Sequence, residues 1–393
     1  MVVGWALLAE VVPLYPLYAL LFSDTGLSGA EITALFAIWS TVGILAEVPS
    51  GAVADRFSRR GALVAAGVLQ AAGYLLWIVL PGFPAFAAGF VLWGLGGALM
   101  SGAQEALLYD GLVAVAAQEH YARVQGWVTG AGLVAQLPAA VAATLLFSLG
   151  GYELAGWVSI GVCLAAAALA SRLPEPPREP PDQDDIEPGY VATMRAGLVE
   201  VAARPGVRAA VLAVAVLGGL DALEEYFPLL AQDQDVPTGL VPSAMLGIAL
   251  AGAVGAALAG TANRLRPCSL ALAFGIAVLA LGAAGLTHHP IGLAGVAVFY
   301  GLYRLVLVVA DARLQERIAG RSRATVTSVA GMATEVACFV LYAAWAAGGV
   351  VLVAGVWLVV TAALPRWLGT RCERRSPGRI QASLPGPGAV RVF

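Results

Sequence analysis

Residues 51–60 read Gly51-Ala-Val-Ala-Asp55-Arg56-Phe-Ser-Arg59-Arg60, a glycine followed by an acid and three arginines in one short loop. Apolar stretches flank the loop on both sides, at about 29–51 and 61–80. Each is long enough to cross a bilayer, which takes roughly 20 residues. Working outward, similar stretches lie at about 3–22, 84–107, 124–148 and 152–171, and a second set at about 207–230, 240–260, 267–286, 290–311, 324–346 and 348–365. Twelve crossings use roughly 240 positions, a share that fits a 393-residue chain with 60% hydrophobic residues, 12% charged residues and a mean hydropathy of +0.82. A soluble protein carries about a quarter charged residues, so an ordinary cytosolic enzyme is excluded. With a net charge of -3, nothing suggests a nucleic-acid partner.

Between the two sets, residues 172–206 open with RLPEPPREPPDQDDIEPG, which is proline-rich, acidic and too polar to span. This reads as a flexible linker, followed by a surface helix over Tyr190–Arg204. The expected organisation is a six-helix bundle at 1–171, a linker at 172–206, a second six-helix bundle at 207–366 and a tail at 367–393.

The arginines set the topology. The chain has no lysine and twenty-two arginines. They fall as three at 56–60, one at 123, five from Arg172 to Arg208, two at 264–266, four from Arg313 to Arg323 and six from Arg366 onward, with Arg304 alone inside the tenth span. The alternate loops have none. Positive loops stay on the cytoplasmic side, so both termini are expected inside, in a cell inner membrane. The first span opens almost at Met1, as expected if a short basic tail once preceded it, and it reads as a retained helix rather than a signal peptide. The halves echo one another: Asp110 is followed by Arg123 in HYARVQG, and Asp311 by Arg323 in SRATVTS. GAVADRFSRR after the second span has a weaker counterpart, AGTANRLRP at 259–267, after the eighth.

The loop at 51–60 resembles the signature loop between helices 2 and 3 of the major facilitator superfamily, with Ser58 where that family usually has glycine. Glu47-Val-Pro-Ser and the segment Ser101-Gly-Ala-Gln-Glu105-Ala-Leu-Leu-Tyr-Asp110 resemble a bacterial exporter branch. The resemblance spans essentially the whole chain. It implies an all-α fold of twelve membrane helices in two pseudo-symmetric bundles around a central cavity, and transport by alternating access, an architecture often built from repeats. It also implies that Gly51, Asp55, Arg56, Arg59, Arg60 and Asp110 form a conformational latch on the cytoplasmic side. Gly51 would let a neighbouring helix approach closely, and Asp55 would accept from a helix N-terminus. The alternative is a basic loop that only sets topology. Two features depart from proton-driven drug antiporters: Phe90 stands where they carry an arginine in helix 4, and helix 5 has Leu137-Pro138 in place of a Gly-Pro pair.

A charge inside the bilayer costs at least about 2.5–3.5 kcal/mol on insertion scales, so each one calls for a reason. Glu10 lies about 10 Å into helix 1. Asp221, Glu224 and Glu225 sit at i, i+3 and i+4, which in an α-helix places Asp221 beside both glutamates. Glu335 is near the middle of helix 11, and Arg304 and Asp311 are seven apart on helix 10. In this superfamily helices 1, 4, 7 and 10 line the cavity. Proton coupling is therefore expected at Asp221, Glu224 or Glu225, then Glu10, then Glu335; the alternative is a structural ion pair, for example with Arg304, or an acid at the water interface. Arg304, Tyr18 and Tyr226 are the expected substrate-cavity residues, while Glu47 and Glu105 read as structural. Glycines such as Gly126-xxx-Gly130 are expected to allow close helix contacts.

Other chemistry finds little support. Cys163, Cys268, Cys338 and Cys372 are far apart, His120, His288 and His289 make no metal pattern, and Gly94-Leu-Gly96-Gly97 lies inside a span with no strand before it. No cofactor and no enzyme activity are expected, and the proton gradient is the expected energy source. The expected function is proton-coupled efflux of a small compound, lipophilic ones included, by a monomer in the lipid bilayer. The alternatives are a uniporter or proton symporter importing a polar metabolite and, more distantly, a non-transporting receptor or scaffold.

Overall fold

A helix that is apolar on every side must be covered by protein or by lipid, because none of its faces suits water. Ten helical stretches of this kind form among the residues described by the computed structural model, namely 1–56, 58–176, 198–318 and 323–369. The side chains at 48, 51–56 and 323–325 lie outside that description. In chain order the helices are α1 (Val2–Glu10), α2 (Tyr18–Asp24), α3 (Gly29–Arg56), α4 (Arg59–Val79), α5 (Phe83–Val113) and α6 (Tyr121–Ala170). The second half holds α7 (Pro205–Gly218), α8 (Phe227–Asp233), α9 (Val241–Ala262), α10 (Pro267–Ala284), α11 (Gly292–Arg317), α12 (Arg323–Thr361) and α13 (Leu364–Leu368). Of the expected surface helix at 190–204, only 198–203 and Arg204 are described, the former as helix. The rest of it, most of the linker and the tail beyond 369 lie outside the described residues.

Two stretches are too long for one crossing, at 53 residues for Gln118–Ala170 and 36 for Val326–Thr361. Each turns back at a glycine pair. Gly150 and Gly151 adopt φ/ψ of -160/23 and 61/-155, and Gly348 and Gly349 adopt -164/21 and 60/-157. Positive φ with ψ near -155° is a region open essentially to glycine alone. Divided at these pairs, the ten stretches become the twelve segments expected from the sequence. The same two-residue turn at matching points is a structural mark of the repeat.

The first and seventh segments are also interrupted in parallel. A 3-10 turn at Tyr15–Leu17 separates α1 from α2, and one at Gly219–Tyr226 separates α7 from α8. Prolines supply part of the reason: Pro16 lies inside the first 3-10 turn and Pro228 in the opening turn of α8, just after the second, and each lacks an amide donor. Helix starts are specified locally as well. Ser28 and Glu31 form a reciprocal capping box on α3, with Ser28 N to Glu31 Oε2 at 2.8 Å and Glu31 N to Ser28 Oγ at 3.3 Å. Ser58 caps α4 by accepting from Gly61 N at 2.8 Å, so this departure from the family loop has a role of its own.

Closest helix approach occurs away from the glycine pair singled out in the sequence. A Cβ at Gly126 or Gly130 would meet nothing within 4 Å, which corrects the expectation of tight packing there. Gly255 faces the backbone of Gly301 on α11 instead, and a Cβ would land on the Gly301 carbonyl oxygen. Gly73 on α4 similarly faces the Gly89 carbonyl on α5, where a Cβ would stand 3.0 Å away.

The core shows how the halves meet. The side that carries the glycine turns and Asp24 is the turn side, and the side that carries Met1, Arg59 and Arg317 is the arginine side. One core cluster joins both halves, including Leu17, Tyr18, Phe36 and Phe90 with Leu223, Tyr226 and Leu341. Toward the arginine side lie two smaller, separate clusters. One contains Trp5, Leu63 and Leu107 of the first half, and the other contains Val207, Leu314 and Val329 of the second. Among the described residues, the halves thus share one core at the turn side and have separate cores at the arginine side. Exposed apolar residues such as Leu279 and Val359, at 60% and 75%, are surface for lipid to cover.

Candidate functional site

The three acids of the seventh segment lie in the 3-10 stretch Gly219–Tyr226 rather than in an α-helix. A pair of glycines starts the break, and their missing side chains let the chain press on α12: a Cβ at Gly219 would stand 2.6 Å from that of Ala337. In a 3-10 helix, residues three apart eclipse and the next one points about 120° away. Asp221 and Glu224 therefore share a side, and Glu225 points elsewhere. The sequence expectation of Asp221 beside both glutamates is corrected by this geometry.

Each acid has tyrosine partners. Asp221 Oδ1 accepts from Tyr303 Oη at 2.8 Å and from Arg304 Nη1 at 3.0 Å, and Glu224 accepts from Tyr300 Oη. The i, i+3 spacing of Tyr300 and Tyr303 on α11 matches that of the two acids. Glu225 reaches across to the first half, where Tyr15 Oη donates to Oε1 at 3.3 Å and Tyr18 Oη to Oε2. Both tyrosines flank the break in the first segment. Tyr15 stacks on Trp93 at 5.7 Å, and Tyr18 is held edge-on by Phe36 and Phe90, so the hydroxyls are aimed by packed rings. Leu14 N, freed by the break, is satisfied by buried Ser159 Oγ at 2.9 Å.

Two chambers meet at this cluster. One of about 230 Å³ is lined by Glu10, Tyr15, Tyr18, Gln136, Glu224, Glu225, Met245 and Tyr300 among others. The other, of about 480 Å³, is lined by Trp39, Glu47, Ser101, Asp221, Glu224, Glu225, Glu335 and Tyr342. Glu224 and Glu225 belong to both. Glu10 and Glu335, ranked after the helix 7 acids from sequence, each line one chamber. Arg304 lines neither; it pairs with Asp221 and lies over the Tyr300 ring at 5.9 Å. Tyr226 also lies outside both chambers, a correction to its expected place. It is fully buried between the halves, donates to Thr33 Oγ1 at 3.2 Å and packs on Trp345 with ring centroids 4.1 Å apart.

Other bonds join the halves on the turn side or at mid-depth: Ser40 with Tyr342 at 3.0 Å, Thr144 with Ser243 at 3.3 Å, and Gln232 Nε2 with Asp24 Oδ1 at 2.8 Å. None of these polar contacts was singled out from the sequence, because each side chain is ordinary until the fold brings its partner close.

At the arginine side, Arg59 pairs with Asp110 and also donates to the Ala106 carbonyl at 3.1 Å. Arg60 turns to Glu175 instead, at 3.9 Å. Glu175 in addition accepts from Ser58 Oγ and Arg59 N, each at 2.7 Å. Sequence reading placed Glu175 in the linker and missed it; a carboxylate just past the end of α6 was the available signal. The side chains of Gly51, Asp55 and Arg56 lie outside the described residues. The second half uses another device: Arg317 of α11 donates to the carbonyls of Trp367 and Leu368 at 2.8 Å, and Arg313 donates to that of Leu265 at 2.8 Å.

Comparison with known proteins agrees with this architecture. The sequence profile described as Major Facilitator Superfamily matches residues 2–342. No curated protein matches the chain in a sequence search. Among solved structures, the nucleoside transporter NupG superposes with a TM-score of 0.70 at 13% identity, over 93% of this chain and 97% of that one. A D-xylose-proton symporter gives a TM-score of 0.66 at 15% identity, over 93% and 96%. A bacterial homologue of the human lysosomal transporter Spinster, in an inward-facing and occupied conformation, gives 0.66 at 16% identity, over 93% and 90%. With a family profile across most of the chain and a twelve-segment fold shared with transporters, this multi-pass membrane protein belongs to the major facilitator superfamily.

Proposed function

We propose that the protein is a proton-linked exporter of a small compound, lipophilic ones included, that works by alternating access. In this reading the arginine side faces the cytoplasm, as the distribution of positive loops favours. Both termini are then inside, the protein sits as a monomer in the cell's inner membrane, and the described state is open inward. The proton gradient supplies the energy without a cofactor.

One observation carries the reading: Glu225 of the second half accepts hydroxyls from Tyr15 and Tyr18 of the first. An ionised carboxylate can take both, one on each oxygen. Once protonated it donates from one oxygen to a tyrosine hydroxyl and accepts on the other, and both bonds lose the charge that made them about twice as strong as neutral ones. A positive ligand drawn to the carboxylate competes with the same hydroxyls. The empty, charged carrier is therefore held closed on the turn side, and either load loosens the clasp. A carrier that crosses only when loaded exchanges one load for the other, and this requires no more than that ligands favour different conformations.

Tyr18→Phe removes one of two charge-assisted bonds, each worth about 1.5–3 kcal/mol. The expected result is a proton leak without substrate, raised roughly tenfold or more, measured with a pH dye inside vesicles. A leak equal to that of the unaltered protein would count against the clasp.

In this reading the charged loop is the latch of the opposite state: Asp55 is its acid, as the family resemblance implies, and Arg59, already bound to Asp110 in the described state, holds the loop in place for it. Arg59–Asp110 is a partly exposed pair, so Asp110→Asn is expected to cost less than about 1 kcal/mol in stability while slowing transport several-fold. A well-folded Asp55→Asn protein that transports at the normal rate would remove the latch from the account.

The test of the function is accumulation of a dye and antibiotic panel in an efflux-deficient bacterium expressing the protein. Lower accumulation that a protonophore abolishes is expected. Raised accumulation would indicate import instead.

A further inference from the structure

The two chambers at the centre of the molecule are lined by six carboxyl side chains, those of Glu10, Glu47, Asp221, Glu224, Glu225 and Glu335, and by no arginine or histidine. Among the described residues, the cation at this depth is Arg304, which is committed to Asp221. Such a concentration of acids inside a membrane protein is costly unless something positive balances it. Protons can do so, and so can a cationic ligand.

The walls narrow the choice. Trp39, Tyr15, Tyr300 and Tyr342 are among the lining residues of the chambers, and aromatic rings attract cations. Met245, Leu246 and Ile248 add an apolar surface on the other side of the smaller chamber, with methionine able to adapt to irregular shapes. A bare metal ion would want several carboxyl or imidazole ligands converging on one point, and among the described residues no group of three such side chains is placed to hold one. An anion would meet only repulsion.

We infer that the substrate of this cavity is an organic cation with an aromatic or apolar body, such as a protonated amine or a quaternary ammonium or phosphonium ion, seated against Glu224 and Glu225. This rests on the transport reading above and adds the substrate class to it. The acids and rings act together: the acids supply the attraction, and the rings replace the water that the cation leaves behind.

The experiment uses purified full-length protein in neutral detergent, with radiolabelled tetraphenylphosphonium as the cation and tetraphenylborate as its anion of the same shape. Saturable binding of the phosphonium is expected, with no competition from the borate. Glu225→Gln is expected to weaken it at least about tenfold, whereas Glu225→Asp, which keeps the charge, is expected to retain most of the affinity. Monodisperse elution of each variant guards against misfolding, and Glu10→Gln, in the lining of the smaller chamber, provides a second neutralisation expected to weaken binding severalfold. Equal binding of the borate, absence of phosphonium binding, or indifference to both neutralisations overturns the assignment. A protein that fails to bind the cation yet shows protonophore-sensitive efflux of another compound sinks the cation class and leaves proton linkage standing. Phosphonium binding without any proton-linked efflux supports the cation class and counts against proton linkage.

Discussion

Glu225→Gln is expected to lose transport driven by a pH gradient, by about 100-fold or more, the upper part of the range for coupling between two ligands. Exchange of substrate for substrate, measured at saturating concentration, is expected to persist. Glutamine has the size of glutamate and can still accept from one of the two tyrosines that reach this position, but it cannot take up and release a proton. Glu224 lines the same chambers yet is held by Tyr300 within its own half, so Glu224→Gln should have the smaller effect on coupling. Reconstituted vesicles with an imposed pH difference provide the measurement. Full gradient-driven accumulation by the Glu225→Gln protein would remove Glu225 from the proton pathway.

The second large effect is structural. Gly255 packs its backbone on that of Gly301, and an added Cβ would meet a carbonyl oxygen that has no side chain to move aside. Gly255→Val must push α9 away from α11, and overpacking of this kind costs about 1–3 kcal/mol, occasionally more. A small fraction of normal folded yield is expected in the membrane, read by fluorescence-detected gel filtration. Gly126→Ala together with Gly130→Ala is the control. Both sites face open space, so the pair should be tolerated, with some gain from the better helix propensity of alanine, about 0.8–1.0 kcal/mol per site. Equal behaviour of the two proteins would contradict the packing account.

These two glycine sites illustrate how far the sequence can be read. Length and hydropathy locate the twelve segments, and the arginines alternate from loop to loop, because both patterns are properties of single segments in a bilayer. Which glycine faces a neighbour depends on how helices rotate about their axes, and that information lies in pairs of segments. The same distinction separates what was legible at the site. Asp221, Glu224 and Glu225 stand out because charge is rare in apolar runs. Their division, two acids toward α11 and one toward the other half, follows from a 3-10 turn that the glycine pair and Pro228 only hint at. Tyr15 and Tyr18 read as ordinary aromatics until the fold sets them against Glu225. Tyr226 carries equal aromatic weight in the sequence but is spent on holding the halves together. Glu175 lies in a stretch whose composition announces a linker, so its bonds to Ser58 and Arg59 belong to tertiary structure alone.

The central claim is obligatory exchange of a proton for a cationic substrate across the Glu225 clasp. Purified protein in liposomes loaded with a pH-sensitive dye tests it most directly. With ethidium trapped inside and an initially equal pH on both sides, outward movement of the dye should acidify the interior, and Glu225→Gln should abolish the acidification. Ethidium efflux with no change of internal pH, or with alkalinisation, would contradict the account.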